Sequence, residues 1–270
     1  MERIGIIGVG ELGRALVTGL CEDVAAPPDV FLSPRGAGAA AELSSRFATV
    51  RVCADNQEVA DRSSTLIIAV RPQDRAEALA GLRFGGDGGD GGGSGDKVVV
   101  SAMAGVAVDE VRGLLRTAAP VVRAIPLPAV RERGAVTVTC PGHPAVDGLF
   151  DRLGGALPVP DEATLDVFQT LTSTLTTHYW YLATLTSWAA RQGVAPEDAD
   201  RYVRGLFGAV GRSLGDGARS VQQLAGDHET PRGTNERIRT TWFTPDNAEA
   251  LTRALDGLLK DLGRPGVDPG

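Results

Sequence analysis

The stretch "RIGIIGVGELGRALVTGL", Arg3 to Leu20, decides how the rest of the chain is read. It opens on a short apolar run, Ile4 to Ile7, and passes glycines at Gly8, Gly10 and Gly13. It then continues into a segment where Leu12, Leu16 and Leu20 recur every four residues. The apolar run suits a buried strand, and the four-residue spacing suits one face of a helix. A GxGxxG string alone is weak evidence in a chain with 35 glycines. Its place between a strand and a helix gives it meaning. Gly8 permits the tight turn, Gly10 lets the backbone approach a pyrophosphate, and Gly13 lets the helix pack on the strand. Phosphate oxygens would be received by the free N–H groups at the helix start. Gly8, Gly10, Glu11, Leu12 and Gly13 are therefore assigned to dinucleotide binding.

The next strand is expected at "DVFLS", Asp29 to Ser33. An NAD site usually carries Asp or Glu about 20 residues after the glycines, to hold the ribose 2′-hydroxyl. Here the sequence is "SPRG", and Ser33 and Arg35 offer a hydroxyl and a guanidinium fork. Those groups suit a 2′-phosphate, so NADP is expected over NAD. A solvated loop arginine is the alternative for Arg35. Further strands are expected at Thr65 to Val70, at Lys97 to Ser101, near Val121 and near Val136. Helical segments such as "DRAEALAGL" and "AVDEVRGLL" separate them. That alternation means an α/β fold with a doubly wound parallel sheet. Ligands lie at the carboxyl ends of such strands. "AVRP", "SAMAG" and "AIPLP" are thereby placed around the cofactor, contributing Val70, Arg71, Pro72, Ala104 and Pro126. The glycine-rich segment 85–96 reads as a mobile loop on the edge away from the nucleotide.

Composition narrows the partners. A net charge of −7 argues against nucleic acid and anionic membranes. No apolar run approaches a membrane span, and the opening residues lack a signal-peptide pattern. A cytoplasmic protein is expected. The three cysteines, Cys21, Cys53 and Cys140, are far apart and without CxxC spacing, so no metal site or disulfide framework is expected.

The chain is divided into a dinucleotide-binding domain, 1–158, and an α-helical domain, 159–270. The second opens with "LDVFQTLTSTLTTHYWYLATLTSWAARQGV" and "PEDADRYVRGLFGAVGRSLGDG". Two further helical segments are expected after these. In the last, Leu251, Leu255, Leu258, Leu259 and Leu262 form a helical stripe. Such faces suggest a partner subunit.

The pieces "IGIIGVGELGRAL", "SPRG", "ADN" (54–56), "LIIAVRPQ", "SAMAGV" and "VVRAIP" together resemble the pyrroline-5-carboxylate reductases. The resemblance implies a Rossmann domain followed by an all-α domain that builds an interlocked homodimer, with NADPH reducing a cyclic imine. It implies that Asn56 contacts the cofactor and that the "AVRP" and "SAMAG" loops line the nicotinamide side. The second half departs from the family. "STLTTHYW" stands where the reductases carry a small-residue break, and "IPLPAV" lacks their loop asparagine. Their Gly-Gly-Thr-Thr turn becomes "RGTN": Gly233 and Thr234 remain, with Arg232 for a glycine and Asn235 for a threonine. A substrate other than pyrroline-5-carboxylate is expected.

Hydride transfer to C=N or C=O needs a held substrate and a donor to the heteroatom. Thr234 is the first candidate donor, with Asn235 to orient the substrate and Arg232 to pair a carboxylate. Thr234 and Asn235 serve equally well as ordinary helix-cap residues. His178, beside Thr177 and Tyr179, is a candidate acid; a core or interface histidine is the alternative. Thr174 and Thr177, with the neighbouring aromatics, would frame a larger or more apolar substrate; core and dimer packing is the alternative for Tyr179, Trp180, Tyr181 and Trp188. A β-hydroxyacid dehydrogenase needs a catalytic lysine in the second domain, and neither Lys97 nor Lys260 is placed for it. A nucleotide-binding sensor or scaffold without chemistry remains the competing function.

Overall fold

A computed structural model describes residues 2–84 and 97–262. The expectation for segment 85–96 lies outside the described residues. The first unit contains β1 (Arg3–Ile7), α1 (Glu11–Cys21), β2 (Asp29–Leu32), α2 (Ala37–Arg46), β3 (Val50–Val52) and α3 (Asn56–Arg62). It continues through β4 (Thr65–Ile68), α4 (Arg75–Leu79), β5 (Val98–Ser101), α5 (Val108–Leu115) and β6 (Val121–Ile125). It closes with β7 (Thr137–Cys140), α6 (Pro144–Asp151), β8 (Ala156–Pro158) and most of α7 (Glu162–Thr172).

These strands form one eight-stranded sheet in the order β3-β2-β1-β4-β5-β6-β7-β8. The order reverses at β1, which pairs with both β2 and β4. The central strands are apolar at successive positions because helices cover both faces. Leu66 and Ile68 face one helical layer while Ile67 faces the other; Val99 and the pair Val98/Val100 divide in the same way. Ile4, Ile6, Leu66, Ile67 and Ile68 are fully buried, each worth about 1.5–3 kcal/mol against exposure.

The sheet departs from all-parallel pairing at one place, where β7 runs antiparallel to β6. A parallel return needs a crossover of about a dozen residues or more, usually through a helix. The β6–β7 link instead holds a short 3₁₀ turn, Pro128–Glu132. β3 and β8 are three residues each, too short to leave a pattern in the sequence.

Compact units divide the chain within α7: the first comprises the residues up to Gln169 together with Asp261 and Leu262, and the second spans Thr170–Lys260. Leu165 of α7 is fully buried with Val138, Cys140 and Val159. The division expected at 158/159 falls just ahead of that helix.

The second unit is helical: α8 (Leu175–Arg191), α9 (Pro196–Ser213), α10 (Val221–Asp227), α11 (Thr234–Trp242) and α12 (Pro245–Leu262). Three helices follow α9 where two were expected. α10 has only seven residues, but a capping box at Ser220 and Gln223 starts it, and that S-x-x-Q signal is in the sequence. The long "LDVFQ…" segment breaks into α7 and α8 at Ser173 and Thr174. Inside this unit Tyr181 stacks on Trp242 at 5.4 Å and meets Phe207 edge-on at 5.7 Å. α8 has no buried residue, and Tyr179, Trp180 and Tyr202 are each about 70% exposed. An apolar groove of about 910 Å³ runs along α8 and α9, past Leu185, Trp188, Val194, Tyr202 and Leu206. Among the described residues no helix is long and apolar enough to cross a membrane.

Candidate functional site

The glycine turn shows which of its residues the fold itself demands. Gly8 has φ +100, and a Cβ there would meet the Ala69 carbonyl oxygen at 2.6 Å. A Cβ on Gly13 would meet the Gly8 carbonyl oxygen at 2.5 Å. These two glycines let β1, its turn, α1 and the end of β4 come together. Gly10 is different: a Cβ there would meet nothing within 4 Å. Internal packing gives no reason for glycine at this position, whereas a ligand lying close on the turn does. Gly10 is also the N-cap of α1, without a side-chain cap. The first amides of any helix, here at Glu11, Leu12 and Gly13, lack an intrahelical partner, and such amides are able to receive an anion.

At the end of β2, the Ser33 side chain is fully buried and its hydroxyl accepts from the Gly8 amide at 3.0 Å. It braces the glycine turn. Of the two groups singled out for a phosphate, Arg35 is the open one, 59% exposed and paired with Glu77 at 3.1 Å. After β4, Arg71 forks onto Asp74 at 2.9 and 3.3 Å. That guanidinium holds the Asp74 carboxyl below its usual range, with Arg35 adding to the effect. Asn56 begins α3 and donates its side-chain amide to the Ala78 carbonyl at 2.9 Å. Val70, Arg71 and Pro72 follow β4, Ala104 follows β5, and Pro126 follows β6. The fold thus brings the cofactor candidates to one rim of the sheet, around the point where strand order reverses.

The substrate candidates all belong to the second unit. Thr174 precedes α8 and donates its hydroxyl to the Leu171 carbonyl at 2.8 Å. Thr177 and His178 are exposed on the first turns of α8, and the His178 ring lies edge-on to Phe207 at 6.2 Å. The turn before α11 is tied by Gly233 N–H to Thr230 at 2.7 Å and by Arg232 N–H to the Glu236 carboxylate. Gly233 is the N-cap and no side chain caps the helix. Asn235 donates to the His228 carbonyl at 2.7 Å, and Thr234 is exposed in the first turn with no hydrogen bond from its hydroxyl among the described residues. The cap reading of these two residues is therefore not what the turn shows. Arg232 has φ +60, a left-handed conformation that suits glycine and costs a side chain energy. Asn235 shares a small groove with Tyr181, Ile238 and Trp242, which brings α8 and α11 together.

All three cysteines are free and buried, and burial is the main cause raising each thiol above its ordinary value. Such thiols are poor nucleophiles. Sequence reading passed over Arg123. It sits in β6 with its side chain 5% exposed, held by Glu162 at 2.8 Å and Asp166 at 2.9 Å. The signal was present: an arginine inside "VVRAI", and Glu162, Asp166 and Gln169 spaced along one helix face.

A Rossmann-type sheet with a glycine turn at its switch point, followed by an all-α unit, is the class these features define. Comparison with known proteins agrees. A family profile described as "NADP oxidoreductase coenzyme F420-dependent" matches residues 3–105. A pyrroline-5-carboxylate reductase of Mycobacterium tuberculosis is 30% identical over 173 residues, covering 62% of this chain and 57% of that protein. The chain thus spans somewhat over half the length of that curated relative. The solved structure of a pyrroline-5-carboxylate reductase from Coxiella burnetii superposes with a TM-score of 0.78 at 19% identity, over 97% of this chain and 98% of that one. A pyrroline carboxylate reductase from Plasmodium falciparum, solved with NADP bound, gives 0.76 at 15% identity, over 97% of each chain. The chain is thus similar to pyrroline-5-carboxylate reductases in sequence over about three fifths of its length, and shares their fold over nearly all of it.

Proposed function

We propose that the protein is an NADPH-dependent reductase acting on an imine, or a related carbonyl, other than pyrroline-5-carboxylate. Gly10 is the observation that carries the cofactor half: the fold leaves open space where its side chain would be, at the head of an uncapped helix. The amides of Glu11, Leu12 and Gly13 would hold the pyrophosphate. Arg35 would exchange its exposed Glu77 partner for the 2′-phosphate, with Ser33 fixing the turn beside it. The exchange is cheap, because exposed ion pairs are worth only about 0–1 kcal/mol. Asn56, Val70, Arg71, Pro72, Ala104 and Pro126 would line the remainder. The bound nicotinamide supplies the hydride.

On the substrate side, the exposed Thr234 hydroxyl would donate to the reacting heteroatom, while Asn235 orients the substrate. Arg232 would pair a substrate carboxylate, and Thr174, Thr177 and Gly233 would shape the pocket. His178 is the second candidate proton donor. The protein is proposed to work in the cytoplasm as a homodimer through its C-terminal helices. The exposed aromatics of α8 and α9 support this, because apolar patches of that kind mark interfaces. The functional division is proposed at 158/159.

NADPH oxidation across a panel of cyclic imines and oxo acids tests the reading. Turnover of at least one imine is expected, with pyrroline-5-carboxylate below roughly 10 per second, an ordinary enzyme rate. NADPH binding with no turnover across the panel would instead support a sensor or scaffold.

A further inference from the structure

We propose that Arg123 is a positioning residue that sets the β5–α5 loop, Ala102–Ala107, through the side chains of α7. Its guanidinium donates to Glu162 Oε1 at 2.8 Å, to Asp166 Oδ1 at 2.9 Å and to Gln169 Oε1 at 3.3 Å. Two of those same oxygens also hold the loop. Gln169 Oε1 accepts from the Gly105 amide at 3.4 Å, and Glu162 Oε1 accepts from the Val108 amide at 3.1 Å. Each oxygen therefore bridges the buried arginine to a backbone amide, one within the loop and one at the first residue of α5.

The arrangement suits positioning better than bulk stability. A buried ion pair is weak evidence for stability, since desolvation offsets much of the attraction. Here the guanidinium fork fixes three acceptors at once, which a point charge on a flexible stem does not do. The Glu162 carboxylate also lies at the N-terminus of α5, where an anion is favoured. Gly105 is in the left-handed region at φ +69, so the loop turns sharply at the residue that Gln169 holds. The anchored face of α7 thus joins β6, the loop and the start of α5 in one hydrogen-bonded set within the first unit.

The benefit to the cofactor rests on the proposed function, in which this loop lines the nicotinamide side. The ordering of the loop does not rest on it, and the two are read separately. Amide hydrogen exchange and NADPH fluorescence titration are measured on the wild type, Arg123→Met, Arg123→Lys and Gln169→Leu. Gln169→Leu removes the loop arm and one of the three Arg123 hydrogen bonds but leaves both ion pairs, so it stays informative if Arg123→Met fails to fold. Exchange at Gly105 should rise at least about tenfold in Gln169→Leu while the β4 and β5 amides stay protected, as a local opening requires. NADPH affinity should fall with it, and Arg123→Lys should restore neither property fully. Unchanged loop exchange in Gln169→Leu would overturn the proposal. A loosened loop with unchanged NADPH affinity would overturn its purpose. A wild type that binds no NADPH would defeat the proposed function alone, leaving the exchange result to decide the loop.

Discussion

Replacing Arg232 by glycine and, separately, by alanine should move stability and substrate affinity in ways that pull apart backbone and charge. Arg232 holds φ +60 in the turn before α11, where its amide bonds Glu236 and the next residue bonds back to Thr230. A side chain in the left-handed region costs about 1–2 kcal/mol. Glycine relieves that cost but adds about 0.4–1 kcal/mol of unfolded-state freedom. The net gain for Arg232→Gly over Arg232→Ala is therefore about 1 kcal/mol, or about 2–4 °C in Tm for a chain of this size. Alanine keeps the steric cost and removes only the guanidinium. Both variants should raise KM for an acidic substrate by about fivefold, the equivalent of one exposed charged contact of about 1 kcal/mol. Neither should change KM for a neutral analogue. Scanning calorimetry and steady-state kinetics on the three proteins read both effects. Equal Tm for the glycine and alanine variants would refute the strain, and unchanged KM for acidic substrates would refute the charge assignment.

Other perturbations test separate parts of the site. Gly10→Ala should keep the wild-type Tm and lose most NADPH affinity, whereas Gly13→Ala should also lower Tm, since its Cβ would meet a backbone oxygen at 2.5 Å; thermal melts with and without NADPH distinguish them. Thr234→Val should leave NADPH affinity nearly intact and cut kcat by tenfold or more, on the order of 1.4 kcal/mol of barrier; an unaffected rate, with His178→Ala inactive, would move the donor role to the histidine. Light scattering at micromolar concentration should report a dimer, and replacing Trp180 and Tyr202 by serine should shift it toward monomer if the exposed aromatics of α8 and α9 form the interface.

The doubly wound half was legible because its signals are local. The apolar runs of β1, β4 and β5 are buried on both faces, and the glycines of the first turn obey steric limits that depend only on near neighbours. β7's reversed direction was not legible, since it depends on a 3₁₀ turn where a helix would have served. Ser33 was read as a ligand because its position suits one; only the packing shows its hydroxyl turned inward to Gly8. The α7–α8 break left no strong sign, because Ser173 and Thr174 interrupt an otherwise continuous helical pattern without Gly or Pro. Arg123 was missed for a related reason: an arginine in a strand is decided by partners 39 to 46 residues away. Apolar faces on the C-terminal helices were legible, but that Tyr179, Trp180 and Tyr202 are among the exposed side chains belongs to the folded unit.

Selection of NADPH by Arg35 is tested most directly by dissociation constants for NADPH and NADH, from nicotinamide fluorescence, in the wild type and Arg35→Ala. The wild type should bind NADPH more tightly than NADH. The variant should lose about tenfold in NADPH affinity, near 1.4 kcal/mol for a charge-assisted phosphate contact, and less than about twofold in NADH affinity, because Arg35 is exposed and its partner Glu77 is solvated. Equal weakening of both cofactors, or a wild type with no preference between them, would contradict the 2′-phosphate assignment.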